Sequence, residues 1–570
     1  MTINFLRARF VLIALGFLAA SSLLAVQAQA EESLHEQIDK LIADKVKGAG
    51  LNPPVDDGLF ARRIYLDLAG RTPSYEELQQ FLKSADADKR TKLVDAIIAS
   101  PDYPRRMQEL FSNMLLERRG DNAEWQKFLA ASFAVNKPWD QLAREIIDPD
   151  AENEQTRGAA FFYTKRLEKV GEQETDYPGL TRDVGRLFLG MDLQCAQCHN
   201  HLFIDYYKQQ DFQGLFIAIQ NTSIRNDLKF PAIREGMVSK KIEFMSVFDK
   251  VPLETGPRVP GGKEVEIPQY AKGEEYLVPP DVRARKQGVP KFSPVEALAH
   301  EMSTPQNQAF VTNITNRLWW VMMGRGIFNP LDQQHVGNPG SHPEVLTAMN
   351  KAFVEHKFDI RWMLRELALT QTYQRSTIIP AAGEVPPPET YQVATDKRMS
   401  AEQLMWSVVV ATGPRDGHIP APTPSSEAKP AAEAASGEEK PATAAASAPT
   451  ATPDMEKLPK AFVKAFGNPP QDPETDFAPS LKAALFVLND PNVLALLTPQ
   501  SGNLMDRVNK LTDSAAVADE LYLSILSRQP SDEERKTVSD YLTAHAARRE
   551  AALTNLAWAL LASTEFCLNH

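Results

Sequence analysis

The sequence predicts a mainly α-helical fold, with multi-helix domains, a small β-rich or irregular insert, and a disordered Ala/Pro-rich linker. Three observations carry this. Apolar residues recur at three- and four-residue spacing through most of the chain. A Pro- and Gly-rich stretch with short alternating runs breaks that pattern once. One segment lacks bulky apolar residues altogether.

Residues 1–30 read as a cleaved secretory signal, with an uncleaved anchor as the alternative. Arg7 and Arg9 form its basic start, Phe10 to Ala20 its apolar run, and Ala28-Gln29-Ala30 its small-residue cleavage site. The apolar run is shorter than the about 20 residues that a membrane span requires. No later stretch is apolar enough to span, so the mature chain is expected to lack a transmembrane segment and to be periplasmic or secreted. Residues 31–221 read as an N-terminal helical domain, in which Met107–Arg118 sets Leu110, Phe111, Met114 and Leu115 on one helix face. Residues 222–292 form the insert, with β-branched or alternating runs at Lys241–Val251 and Glu264–Tyr270. Helical patterning returns at Pro294 and persists to about Thr412, within a helical domain over 293–420. Residues 421–454 are mostly Ala, Pro, Ser, Thr and Glu with no aromatic or bulky aliphatic residue, and cannot bury enough apolar area to offset their ordering entropy. Helices resume over 455–570, where Asp513–Ser527 spaces Val517, Leu521 and Ile525.

The chain echoes itself weakly. The run from Tyr65 through Arg71-Thr72-Pro73-Ser74 to Glu77 resembles the run from Tyr522 through Arg528-Gln529-Pro530-Ser531 to Glu534. Both read as helix, tight turn, helix, and Ser531 with Glu534 has capping-box spacing. Shared capping chemistry explains the echo more simply than duplication does.

Composition narrows the function. The formal charge of −12 becomes −14 without the signal, which holds two arginines and no acid. No concentrated basic patch remains, so nucleic acid is not an expected partner. About 540 mature residues exceed a single hydrophobic core and imply two or more domains. Three cysteines in an exported chain do not make a disulfide scaffold. Cys567 reads as a small apolar residue in a helical stretch.

The other two cysteines form Cys195-Ala196-Gln197-Cys198-His199. C-x-x-C-H is the attachment signature of haem c: two thiols link to the porphyrin and the histidine ligates iron. On a helix, Cys195, Cys198 and His199 share a face. Three alternatives remain open: a disulfide, two ordinary thiols, or zinc or another transition metal bound by Cys195, Cys198, His199 and His201. The last crowds four ligands into seven residues, which His342 could relieve from a distance. Ser341 and Glu344 fit a capping box, however, which makes His342 an exposed first-turn residue. Asp205 and Asp211 read as solvated or capping groups. Met237, Met245 and Met302 are candidate distal haem ligands without a spacing signal.

These motifs, with Phe60 to Pro73, resemble the planctomycete cytochrome-associated proteins that pair two domains of unknown function, PSCyt-two and PSD-one. The resemblance continues at Asn316-Arg317-Leu318-Trp319-Trp320, Gly324-Arg325-Gly326, Gly337-Asn338-Pro339, and Ser341 to Glu344. It extends through Thr372-Tyr373-Gln374, Arg398 to Leu404, Ser563 to Phe566, and Asn569-His570. Leu202 departs from it, since the family has proline there. The family's biochemical role is not established, so the resemblance implies fold and location more than activity.

No second C-x-x-C-H occurs, nor a phosphate loop, a dinucleotide fingerprint or a nucleophile elbow. His300-Glu301 starts like a zincin helix, but Thr304 stands where a second histidine is required. Trp319, Trp320, Trp362 and Trp406 read as core, with a carbohydrate-stacking platform as the alternative. Arg317 and Arg325, eight apart on one helix face, read as structural cations pairing carboxylates, with binding of an anionic ligand as the alternative. The expectation is an exported c-type haem protein in redox chemistry or electron transfer with an unidentified redox partner protein. The alternatives are a non-haem metal protein and a non-catalytic helical scaffold.

Overall fold

A computed structural model describes residues 32–47, 50–169, 171–281, 283, 288–379, 385–418, 454–472, 486 and 489–570. The predicted signal (1–30) and all but the last residue of the predicted linker (421–454) lie outside them. The described residues form 22 α-helices and eight short strands. The strands pair only as two-stranded antiparallel ladders. The protein is mainly α.

Capping chemistry in the sequence fixes many helix starts. Ser33 with Glu36, Ser74 with Glu77, Ser400 with Gln403 and Ser531 with Glu534 all form reciprocal capping boxes. The insert supplies three hairpins: Thr222–Ile224 with Ile233–Glu235, Ile242–Met245 with Pro252–Thr255, and Tyr276–Val278 with Val289–Pro290. Glu264–Tyr270 makes no ladder beyond one bridge, Arg258 to Glu264. Pro268 has no N–H to offer a partner strand there.

The internal echo has one geometry twice. Arg71 forks onto Glu77 at 2.7 and 2.8 Å and lies over the Tyr65 ring at 5.2 Å. Arg528 forks onto Glu534 at 2.9 and 2.7 Å and lies over Tyr522, also at 5.2 Å. The turn residues Gly70 and Ser527 are both left-handed, at φ 69° and 59°.

Helices on both sides of the insert share one core. Trp139 stacks between Phe188, from the N-terminal half, and Phe310, from beyond the insert, at centroid distances of 6.1 and 6.0 Å. A second core gathers Met399 to Phe566 around the helix Ser514–Ile525. Residues Tyr65–Ala69 form a π-helical turn between the two cores, with Leu66 in the second and Tyr65 and Leu68 in the first. Asp67 lies buried between them. It accepts hydrogen bonds from Tyr373 (2.7 Å), Lys397 (2.6 Å) and Asn569 (2.9 Å). Nearby, the buried Arg62 and Arg63 donate to the backbone carbonyls of Phe566 and Arg375. The residues that carry the family resemblance in distant segments therefore meet at one junction.

One helix start is pH-sensitive. The Glu235 carboxylate accepts from Ser293 Oγ (2.6 Å) and Val295 N (3.1 Å) at the start of the helix Pro294–Met302. Burial, with Asp148 and Glu296 adding repulsion, raises its pKa to about 7 despite these bonds. The folded state therefore holds this proton more tightly than the unfolded chain does. The resulting stabilisation is complete below the unfolded value near 4.5 and is lost as pH rises through about 7. Between pH 5 and 8 the wild type is expected to lose on the order of 2 kcal/mol relative to Glu235→Gln. Parallel melting profiles for the two proteins across that range would contradict this.

Candidate cofactor-attachment site

Local hydrogen bonding makes the C-x-x-C-H segment a single turn rather than a stretch of regular helix. Residues Cys195–Gln197 are 3₁₀, and the Cys195 carbonyl accepts from Cys198 N (3.3 Å) and His199 N (3.4 Å). Positions i and i+3 eclipse in this geometry, so Cys195 and Cys198 lie on one edge. Both thiols are free and exposed, and the turn is anchored by the buried Ala196. The expected helical face shared by Cys195, Cys198 and His199 is replaced by one tight turn that sets the two cysteines on one edge.

The insert forms a wall of the site. Val247 N donates to Cys198 O (3.2 Å), and the Gln209 amide bridges Gln197 O (3.5 Å) and Met245 O (3.3 Å). Arg182 and Gln213 also hold Gln197. Phe248 lies against the His199 ring at 4.7 Å between centroids and is 62 % exposed. Leu202, Phe203 (89 % exposed), Met245 and Val247 are further exposed apolar side chains on this and the adjoining loop.

The two histidines differ in tautomer. His199 Nδ1 lies 2.6 Å from the Asn200 carbonyl, which only accepts, so Nδ1 carries the proton and Nε2 keeps its lone pair. His201 Nδ1 instead accepts from Phe203 N and Ile204 N, both at 3.1 Å, so a neutral His201 is protonated at Nε2. In this geometry His201 ties a loop and offers no lone pair to a metal. Among the described residues no group of three or more His, Cys, Asp or Glu is arranged to hold a metal ion.

Several sequence readings need correction. His342 is not an exposed first-turn residue. It is buried at the N-cap of the helix Pro343–Glu355, and burial lowers its pKa to about 4. The Ser341 hydroxyl is drawn to the Ile327 carbonyl (3.2 Å), so the Ser341/Glu344 capping box does not form. Asp211 is not solvated but buried, facing Arg258 at 3.5 Å. Arg325 is not on the helix of Arg317, because Gln308–Met323 ends at the left-handed Gly324 (φ 79°). Of the three methionines, Met302 is core, whereas Met237 and Met245 are exposed. Asp205 is exposed as expected. Trp319 is fully buried; Trp320, Trp362 and Trp406 are partly buried against the cores. Cys567 is half-buried against the second core, and burial raises its thiol pKa. The roles of Phe248, Gln209 and Asn200 were not foreseen; their signal is tertiary, apart from the proximity of Asn200 to the motif.

The fold and site define a two-core helical protein that presents a C-x-x-C-H turn on an apolar surface. Two family models cover most of this architecture. PSCyt2, described as a protein of unknown function (DUF1549), matches residues 37–223. PSD1, likewise a protein of unknown function (DUF1553), matches residues 296–542. The chain belongs to the family of proteins that pair these two domains. No curated protein and no solved structure matches it. Among the described residues no helix is long and apolar enough to cross a membrane.

Proposed function

We propose that this protein is an exported c-type haem-binding protein working in redox chemistry or electron transfer outside the cytoplasmic membrane. The observation that carries the reading is the pairing of two free, exposed thiols with a histidine whose Nδ1 is committed to a carbonyl. That commitment orients the ring and leaves Nε2 as the ligating atom. Cys195 and Cys198 would hold the porphyrin and His199 would ligate its iron; Phe248, Leu202 and Phe203 offer apolar surface for the macrocycle. Haem supplies one-electron chemistry when bound. The chain's own residues fix the imidazole, shield one side of it with Phe248, and hold the loop through His201.

The test is expression of the full chain with export and haem-maturation machinery. The expected product shows a Soret band and a haem-stained band that survives denaturation. A colourless protein under those conditions overturns the proposal.

A further inference from the structure

Away from the Cys195–His199 turn, two cavities of about 510 and 360 Å³ run beside the junction of the two cores. They share Leu110, Asn113, Trp320, Gly324 and Thr395 in their walls and so form one cleft. Six Lys or Arg side chains and four Asp or Glu line it. Two of the acids are fully engaged: Asp67 by Lys397, and Glu117 by both Nη groups of Arg186 (2.5 and 2.9 Å).

Lys397 and Arg186 are paired with carboxylates, whereas Arg106, Arg317 and Arg325 are less committed. Arg106 is only 6 % exposed and donates through Nε alone, to Asp67 O at 3.3 Å. Its two Nη groups have no partner among the described residues. Arg317 is 7 % exposed and donates through Nε to Asn313 (2.9 Å) and through Nη2 to Arg186 O (3.1 Å), with Nη1 unpaired among the described residues. Neither forms a salt bridge among the described residues, although Glu109, Asp67 and Glu402 favour the charge of Arg106 and Asp332 and Glu117 that of Arg317 from further off. Arg325, just past the helix end, lines the smaller cavity without a guanidinium partner among the described residues. The unpaired Nη groups of each guanidinium are not sealed in the interior and reach the solvent of the cleft, where a ligand can accept from them. The planar guanidinium fork matches the oxygens of carboxylate, phosphate or sulfate.

We propose that this cleft binds an organic anion bearing at least two oxyanion groups, one end held by Arg106 and the other by Arg317 and Arg325, with its body across Trp320. The two cationic ends lie in different cavities, and Trp320 lines both. A half-buried indole suits a flat or apolar body between charged ends.

The test titrates the mature protein with three probes that separate the possible head groups: inorganic pyrophosphate, citrate and a disulfated disaccharide. Calorimetry in low salt is expected to give saturable one-to-one binding for at least one probe, weakening as ionic strength rises. Arg325→Gln, at a partly exposed position, is expected to fold normally and to raise the Kd about tenfold. Arg106→Gln is expected to abolish binding where circular dichroism shows it folded; if it does not fold, Arg325→Gln decides. Tryptophan emission is expected to change on binding, and Trp320→Phe to lose most of that change while calorimetric binding persists. Absence of saturable heat with all three probes, or an unchanged Kd in Arg325→Gln, overturns the proposal.

Discussion

Lys397→Met is expected to cost about 3–5 kcal/mol of folding stability, because it strips a buried carboxylate of its counter-charge. Lys397 Nζ uses all three donors, on Asp67 (2.6 Å), Val321 O (3.0 Å) and Met322 O (2.9 Å). The last two carbonyls belong to the final turn of Gln308–Met323, where the helix dipole favours a cation. Burial lowers the Lys397 pKa, and the ion pair with Asp67 opposes that shift. Methionine fills the same channel, past Gly324, where a Cβ would meet Lys397 Cγ at 2.9 Å, but it leaves Asp67 and two carbonyls short of a donor. The double variant Lys397→Met with Asp67→Leu removes the orphaned charge and is expected to recover part of the loss. Denaturant titration checks both. If the double variant is as unstable as the two single losses combined, the damage is packing and not uncompensated charge.

The second large effect falls on the cofactor. Cys195→Ser with Cys198→Ser is expected to abolish the haem-stained band while leaving the helical signal and melting temperature nearly unchanged. Both thiols are exposed and bond no core residue, so their loss touches little of the fold. His199→Ala is expected to retain covalent haem but to change its absorption spectrum and reduction potential, since only the axial bond is lost. The contact with Phe248 at 4.7 Å predicts a smaller spectral shift for Phe248→Ala. A band that still stains in the double cysteine variant would refute attachment at this turn.

Much of the molecule was readable in one dimension because its signals are local. Helical spacing at Leu110 to Leu115, the Ser/Glu caps, and the Pro-rich break at 222 each report on neighbours a few residues apart, and the structure has helices, capping boxes and hairpins there. The misreadings share the opposite property. Ser341 has a perfect cap spacing, yet a distant Ile327 carbonyl took its hydroxyl and His342 went into the interior. Asp211 has the composition of a surface acid, yet Arg258 folds back onto its helix against Gly214, where any Cβ would meet Arg258 Cγ at 2.1 Å.

The amino-acid order alone determined the helical class, the break in it at the insert, the pairing of two domain families and the C-x-x-C-H motif, since each is written in residues that are neighbours along the chain. Only the tertiary structure decided that the insert supplies Phe248 to the site. It alone decided that Asp67 and Lys397 close a junction and that Arg106 and Arg317 face a cleft with donors to spare. The reason is physical. Burial, desolvation and the choice of a hydrogen-bond partner depend on what packs against a residue from beyond its local stretch of chain, and no periodicity encodes that.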